Sequence, residues 1–118
     1  MADAGLFIGW GQVVRGREGP AVDGFNEFVE FLGELRGEER IESFEVCLLT
    51  PHGGELQGFE LLRGSEDQID AVRRADDFQR VLTKALLVVN DLGVVDVALG
   101  EGLGRQMAIY QEEIGVLA

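Results

Sequence analysis

At 118 residues, with 46% apolar and 27% charged side chains, the chain has the size and make-up of one globular domain and is too apolar for a disordered tail. Its 22 acidic against 10 basic residues give a formal charge of -12, which repels phosphate backbones, and the densest basic spot, Arg73-Arg74, is offset by Asp76-Asp77. Nucleic acid and anionic membranes are therefore not expected as partners. The longest apolar run, Ala85–Val89, is far short of the ~20 residues of a membrane helix. The opening Met-Ala-Asp-Ala-Gly lacks the basic and apolar regions of a secretion signal, and the single cysteine, Cys47, cannot form an internal disulfide. A cytoplasmic protein with a reduced thiol is the expectation.

The chain begins with a β-rich run, Leu6–Val14, interrupted by Gly9 and Gly11, followed by a loop over Arg15–Pro20. Asp23 is a plausible N-cap for a helix to Arg36. In it Phe25, Phe28, Val29, Leu32 and Leu35 recur at helical spacing, and Gly37 stands where a left-handed cap belongs. Phe44, Val46 and Leu48 mark one face of a strand over Ile41–Thr50. A turn at Thr50–Gly54 leads into a third strand, Leu56–Arg63. Ser65-Glu-Asp-Gln68 reads as a capping box. The helix it opens loses its apolar phase at Asp76-Asp77, so a break is predicted near Ala75–Asp77. Gly93 ends the second piece, and Val94–Leu99 supplies the last strand. A flexible turn at Gly100–Gly104 and a short amphipathic helix over about 103–114 complete the chain.

The order strand–helix–strand, strand–helix–strand predicts an α+β fold of the ferredoxin-like βαββαβ type. It is a four-stranded antiparallel sheet with two helices on one face, plus the C-terminal helix. One domain spans 1–118, with its core at about 5–100. If Phe44, Val46, Leu48, Phe59, Leu61, Val95 and Val97 face the helices, the opposite face carries Leu6, Ile8, Trp10, Gln12, Glu45, Leu49, Glu60, Leu62 and Asp96. That face is too apolar to leave wet, and pairing with a second copy would bury it and enclose a semi-polar cavity. Carboxylates in such a cavity could do acid/base work if burial raised a pKa; the simpler reading is solvated strand charges.

His52 is the only histidine and lies in a turn, where a surface role competes with a functional one. Cys47 lies within a strand beside Glu45, which suits a small buried hydrophobe better than a nucleophile. One His and one Cys are too few for a structural zinc site, and no haem is expected, although His52 could serve as an axial ligand. Gly100-Glu-Gly-Leu-Gly104 has the wrong spacing for a dinucleotide loop. Arg73, Arg74, Asp76 and Asp77 have the spacing to pair along their helix.

Through Gly58-Phe-Glu-Leu-Leu-Arg-Gly-Ser65 and Asp76-Asp-Phe78 at the start of the second half of a broken helix, the chain resembles the dimeric α/β-barrel superfamily. That group includes antibiotic-biosynthesis monooxygenase-like and YCII-related domains, and the likeness covers about residues 5–100 in element order. It implies a monomer whose open sheet face packs on a second copy to close a barrel. YCII-related domains carry an early His–Asp pair, and no histidine precedes His52 here, so no catalytic role transfers. Two functional readings stay open. One is a non-catalytic homodimer or one that binds a small apolar molecule in the barrel cavity, with Trp10, Gln12, Glu45, Glu60, Asp96 and His52 as candidate lining. The other is a small cofactor-independent enzyme of monooxygenase or isomerase type that uses cavity carboxylates and His52.

Overall fold

A computed structural model describes residues 2–117. The elements follow in the order β1 (Ala4–Trp10), α1 (Glu18–Gly37), β2 (Ser43–Leu48), β3 (Gly58–Gly64), α2 (Glu66–Arg74), α3 (Asp76–Leu86), β4 (Gly93–Ala98) and α4 (Gly100–Leu117). The strands form one sheet in the order β2-β3-β1-β4, and every pair is antiparallel. This is the predicted ferredoxin-like plan.

Several local predictions hold, for identifiable reasons. Ser65 caps α2 by accepting from the Gln68 backbone N–H, while the Gln68 side chain accepts from the Ser65 N–H, so two orphan donors are satisfied reciprocally. The helix breaks at Ala75, whose extended backbone (φ -68°, ψ 140°) separates α2 from α3. The break lets Ile69 and Val72 on one side and Phe78 on the other reach a common core.

Other boundaries shift. α1 starts at Glu18 rather than Asp23, because Pro20 falls in the first turn, where its missing N–H removes no hydrogen bond. The left-handed residue after α1 is Glu39 (φ 59°), not Gly37. The Gly100–Gly104 stretch is not a turn but the first part of α4. Gly102 is buried there because its Cα lies against the backbone carbonyl of Asp3, leaving no room for a side chain. β1 ends at Trp10, yet residues 11–14 still pair with the chain after α3. The Gly11 N–H donates to the Asn90 carbonyl (2.7 Å), the Asn90 N–H to that of Gln12 (2.8 Å), and Val13 bridges Val89.

The largest correction concerns the two sheet faces. Leu6, Ile8 and Leu62 are almost wholly buried with Phe28, Leu32, Leu35, Ile69, Val72 and Phe78, so they face the helices. Register carries their strand neighbours with them: Leu6 pairs with Leu62 and Asp96, Ile8 with Glu60 and Val94, and Trp10 with Gly58. Phe7, Phe59, Leu61, Val95 and Val97 therefore occupy the opposite face, where the Phe7 and Phe59 rings stack at 5.0 Å. β2 alone follows the expected sidedness, with Phe44 and Val46 facing the helices across from Leu62 and Glu60. Of the predicted outward patch, Leu6, Ile8 and Leu62 are core, Trp10 is half-buried on the helix side, and Leu49, just past β2, is 36% exposed.

Salt bridges also depart from the sequence reading. Arg73 reaches Asp96 on β4 (2.7 Å), and Asp77 takes a bidentate bond from Arg40 (2.7 and 3.0 Å). The one i,i+4 pair on this helix is Asp76 with Arg80 (2.6 Å). No helix among the described residues is long and apolar enough to cross a membrane.

Gly58 tests the close approach of β3 to the indole. A Cβ there would lie 2.5 Å from Cζ2 of Trp10 and 2.7 Å from the Cys47 carbonyl oxygen. Gly58→Ala is expected to cost ~1–3 kcal/mol by overpacking. Denaturant unfolding would measure that loss, and a shifted Trp10 emission maximum would show that the ring, not the strand, gives way.

Candidate functional site

The same register that makes the core places one carboxylic acid inside it. Even-numbered residues of β3 face the helices, and Glu60 is the second of them. It is flanked by Ile8 on β1 and Val46 on β2, and only 3% of its surface is exposed. Its Oε2 is buried and has no hydrogen-bond partner. An unsatisfied buried oxygen of this kind costs on the order of 1–3 kcal/mol, and more when charged. Burial alone raises its pKa from 4.5 to about 8, so at neutral pH the side chain is mostly a neutral acid.

Glu60 lies in the wall of a cavity of about 240 Å³ between the sheet and the helices. Ile8, Trp10 and Leu48 come from the sheet, Ala21, Val22, Gly24, Phe25 and Phe28 from α1, Ala85 from α3, and Val88, Val89 and Leu92 from the segment after it. Val13, held by its bridge to Val89, closes one side. α1 presents the small residues Ala21 and Gly24 to this space, and a Cβ on Gly24 would meet nothing within 4 Å. Trp10 lies edge-on to Phe25 with ring centres 6.0 Å apart. Exposed Val22 and Leu48 form an apolar rim, while Ile8, Glu60 and Phe28 lie deep.

The sequence-predicted residues divide. Trp10 and Glu60 meet in this cavity, on the helix side of the sheet rather than the open side. Asp96 is on the helix side too, but at the edge strand and paired with Arg73. Glu45 does lie on the open face, in a salt bridge with Arg63. Gln12 is exposed beyond the end of β1. His52 is exposed, and both ring nitrogens serve its own loop. Nδ1 accepts from the Gly54 N–H (3.1 Å), which leaves Nε2 to donate to the Leu56 carbonyl (2.7 Å). Cys47 is half-buried on the open face. Sequence reasoning missed the α1 wall, although the small residues Ala21 and Gly24, one turn apart beside Phe25 and Phe28, are its signature.

A larger hollow of about 440 Å³ lies between α4, α2 and the ends of β1 and β4, lined by Asp3, Glu66, Asp70, Asp96 and Arg105 among others. Its charges answer one another: Arg105 pairs with Asp3 (3.5 Å) and Glu66 (3.6 Å), and Asp96 with Arg73. These pairs are largely solvated, and the hollow as a whole is acidic. Among the described residues no group of three or more His, Cys, Asp or Glu is disposed to hold a metal ion.

No family model and no curated protein matches the chain. Solved structures do. A dimeric protein of unknown function and ferredoxin-like fold from Bacteroides fragilis NCTC 9343 superposes with a TM-score of 0.61 at 13% identity, covering 81% of this chain and 96% of that one. A dimeric ferredoxin-like protein of unknown function from Jannaschia sp. CCS1 gives 0.60 at 13%, with 82% and 97% covered. SnoaB, a cofactor-independent oxygenase from Streptomyces nogalater, gives 0.56 at 14%, with 84% and 95% covered. The chain thus shares its fold with dimeric ferredoxin-like proteins of unknown function and with a cofactor-independent oxygenase.

The buried acid fixes a pH dependence. Unfolded, Glu60 ionises near 4.5; folded, it holds its proton to about 8. Between those values unfolding releases a proton, so the stability it confers is full below about pH 4.5 and is lost as pH rises, completely above about pH 8. The expected slope is ~1.4 kcal/mol per pH unit at most. Glu60→Met should flatten this part of the profile and raise stability at pH 7 by ~2–3 kcal/mol. Urea titrations at pH 5, 7 and 9 measure both effects.

Proposed function

We propose that this chain is a homodimeric protein that binds a small apolar molecule in the cavity between its sheet and α1, beside Trp10 and Glu60. The observation that carries this reading is Glu60 itself, an acid kept without a partner in an otherwise apolar wall that Met or Leu would fill at a gain in stability. Binding pockets combine such a wall with a few polar groups that orient the ligand, and a cavity of about 240 Å³ is smaller than the pockets of roughly 300 Å³ and above that hold drug-sized ligands, so it suits a smaller molecule. Assembly as a homodimer is supported by the dimeric proteins of like fold and by the apolar open face around Phe7, Phe59, Leu61 and Val97. Two copies paired there would cover it isologously and leave each helix-side cavity to its own protomer.

A second reading has one specific support. An acid with a pKa near 8 suits proton transfer at neutral pH, and SnoaB, of like fold, is a cofactor-independent oxygenase. On this reading the chain is a small cofactor-independent enzyme of monooxygenase or isomerase type in which Glu60 moves the proton. Conversion of a bound compound by wild type and not by Glu60→Gln would favour it over simple binding.

Two measurements test the main reading. p-Menthane, a neutral hydrocarbon of ten carbons, should change the emission of Trp10 saturably in the wild type. It should not do so in Gly24→Phe, whose ring fills the cavity; circular dichroism would confirm that this variant folds. No response in the wild type would count against the pocket as a binding site. Leu61→Glu places like charges across the proposed two-fold and should weaken association by more than about a hundredfold. Sedimentation should then show monomers at micromolar concentration where the wild type is dimeric. A wild type that is itself monomeric would defeat the dimer.

A further inference from the structure

The cavity contains one ionisable group, and that fact bears on the ligand's head group. Around Glu60, β1 contributes Ile8 and Trp10, β2 Leu48, α3 Ala85, and the segment after α3 Val88, Val89 and Leu92; none of these titrates. The α1 residues on the same wall are likewise uncharged, and the Lys84–Glu27 ion pair that ties α3 to α1 (2.8 Å) lies outside the lining. Glu60 therefore meets a ligand with no cation, no anion and no other carboxylate to share the load.

Four kinds of head group can be weighed against that wall. A hydrocarbon leaves the buried acid as unsatisfied as it is now. A carboxylate brings a desolvated charge into a space with no cation to answer it. An ammonium group would require Glu60 to ionise and the pair to be desolvated together, with no further donor for the second oxygen of Glu60. A neutral oxygen acceptor asks for nothing the site lacks. The acid donates its O–H to the ligand's oxygen, so the buried hydroxyl and the ligand's acceptor are satisfied by one bond and no charge is desolvated. Trp10, beside Glu60 in the wall, offers an apolar ring against the ligand body.

Building on the pocket reading above, we propose that the ligand is an uncharged apolar molecule with a single hydrogen-bond-accepting oxygen at one end, which Glu60 engages as a donor. Glu60 is then the residue that sets head-group selectivity, and binding is confined to the pH range in which it keeps its proton. The geometry that assigns the role is the deep position of Glu60 against the exposed rim of Val22 and Leu48: the polar end enters first and the hydrocarbon body follows.

One carbon skeleton carrying four heads tests this directly. p-Menthane, menthone, menthylamine and p-menthane-3-carboxylate would be titrated against the full chain at pH 6.5, followed by Trp10 emission. Menthone should bind wild type about tenfold more tightly than p-menthane, and the amine and carboxylate more weakly than menthone. Glu60→Met should bring menthone down to the affinity of p-menthane. Glu60→Gln, which keeps a donor, should retain the menthone preference. Raising the pH above about 8 should weaken menthone binding to wild type by up to about tenfold per unit and leave Glu60→Gln unchanged. Equal affinity for menthone and p-menthane, with Gly24→Phe abolishing both, would overturn the head-group assignment while leaving the pocket standing. Tightest binding by the amine or the carboxylate would overturn it as well. If no member of the series binds at its solubility limit, the pocket reading falls and this inference with it.

Discussion

The antiparallel register of β1 against β3 is the constraint on which the rest of this molecule depends. Side chains alternate with period two, so the pairing of Leu6 with Leu62 and of Ile8 with Glu60 decides at once what is core and what is outward. A slip of one residue would put Leu6 and Ile8 on one face with Phe59 and Leu61 and turn Glu60 and Leu62 to the other. The helices fix the choice from above. Phe28, Leu32 and Leu35 on α1 and Ile69, Val72 and Phe78 on α2 and α3 close over the first set and bury it almost completely. Glu60 is carried inward by this geometry whatever its own preference for water. The carboxyl is thus a passenger of the register, and its raised pKa follows from its position in the strand rather than from any charged neighbour.

That dependence also explains what could be read in the sequence. Ser65–Gln68, Asp76-Asp77 and the Phe25–Leu35 periodicity each encode local structure through short-range physics, and the order of elements is legible from them. Sidedness is not. β1 offers Leu6, Ile8, Trp10 on one face and Phe7 on the other; β4 offers Val94 against Val95 and Val97. When both faces of a sheet are apolar, alternation loses its signal and the carboxylates alone suggest an outward side. Glu60 and Asp96 misled for different reasons. Asp96 turns toward the helices but stays at the edge strand, where Arg73 meets it. Glu60 turns inward on a central strand with nothing to meet it. The candidate site was legible in its members Trp10 and Glu60 and not in its location, since the far wall belongs to α1.

Stability and capacity for binding pull against each other at one place. α1 presents Ala21 and Gly24 to the cavity, and Glu60 occupies a position in its wall that suits a hydrocarbon. Each choice is the less stable one for a molecule that only had to fold: glycine costs a helix interior about 1 kcal/mol relative to alanine, and a buried acid costs more. Their coincidence around one space is what separates this hollow from the larger acidic one beside α4, where every named charge pair is solvated and nothing is forgone.

α4 has a different standing from the other helices. Leu103, Met107, Tyr110, Ile114 and Leu117 repeat along it at intervals of four and three residues, and all are exposed. Short helices in water gain most of their stability from packing of such a stripe rather than from intrinsic propensity. Past its anchor, where Gly102 meets the Asp3 carbonyl, the stripe has little of its own chain beneath it. The order of residues 100–117 is therefore a thermodynamically linked quantity: any surface that accepts the stripe draws on the helix–coil equilibrium, and the helix in turn lends that contact its cooperativity. In hydrogen exchange, α4 amides would gain protection by their own local equilibrium when such a surface is occupied, while those of β1 and β3 follow the global stability.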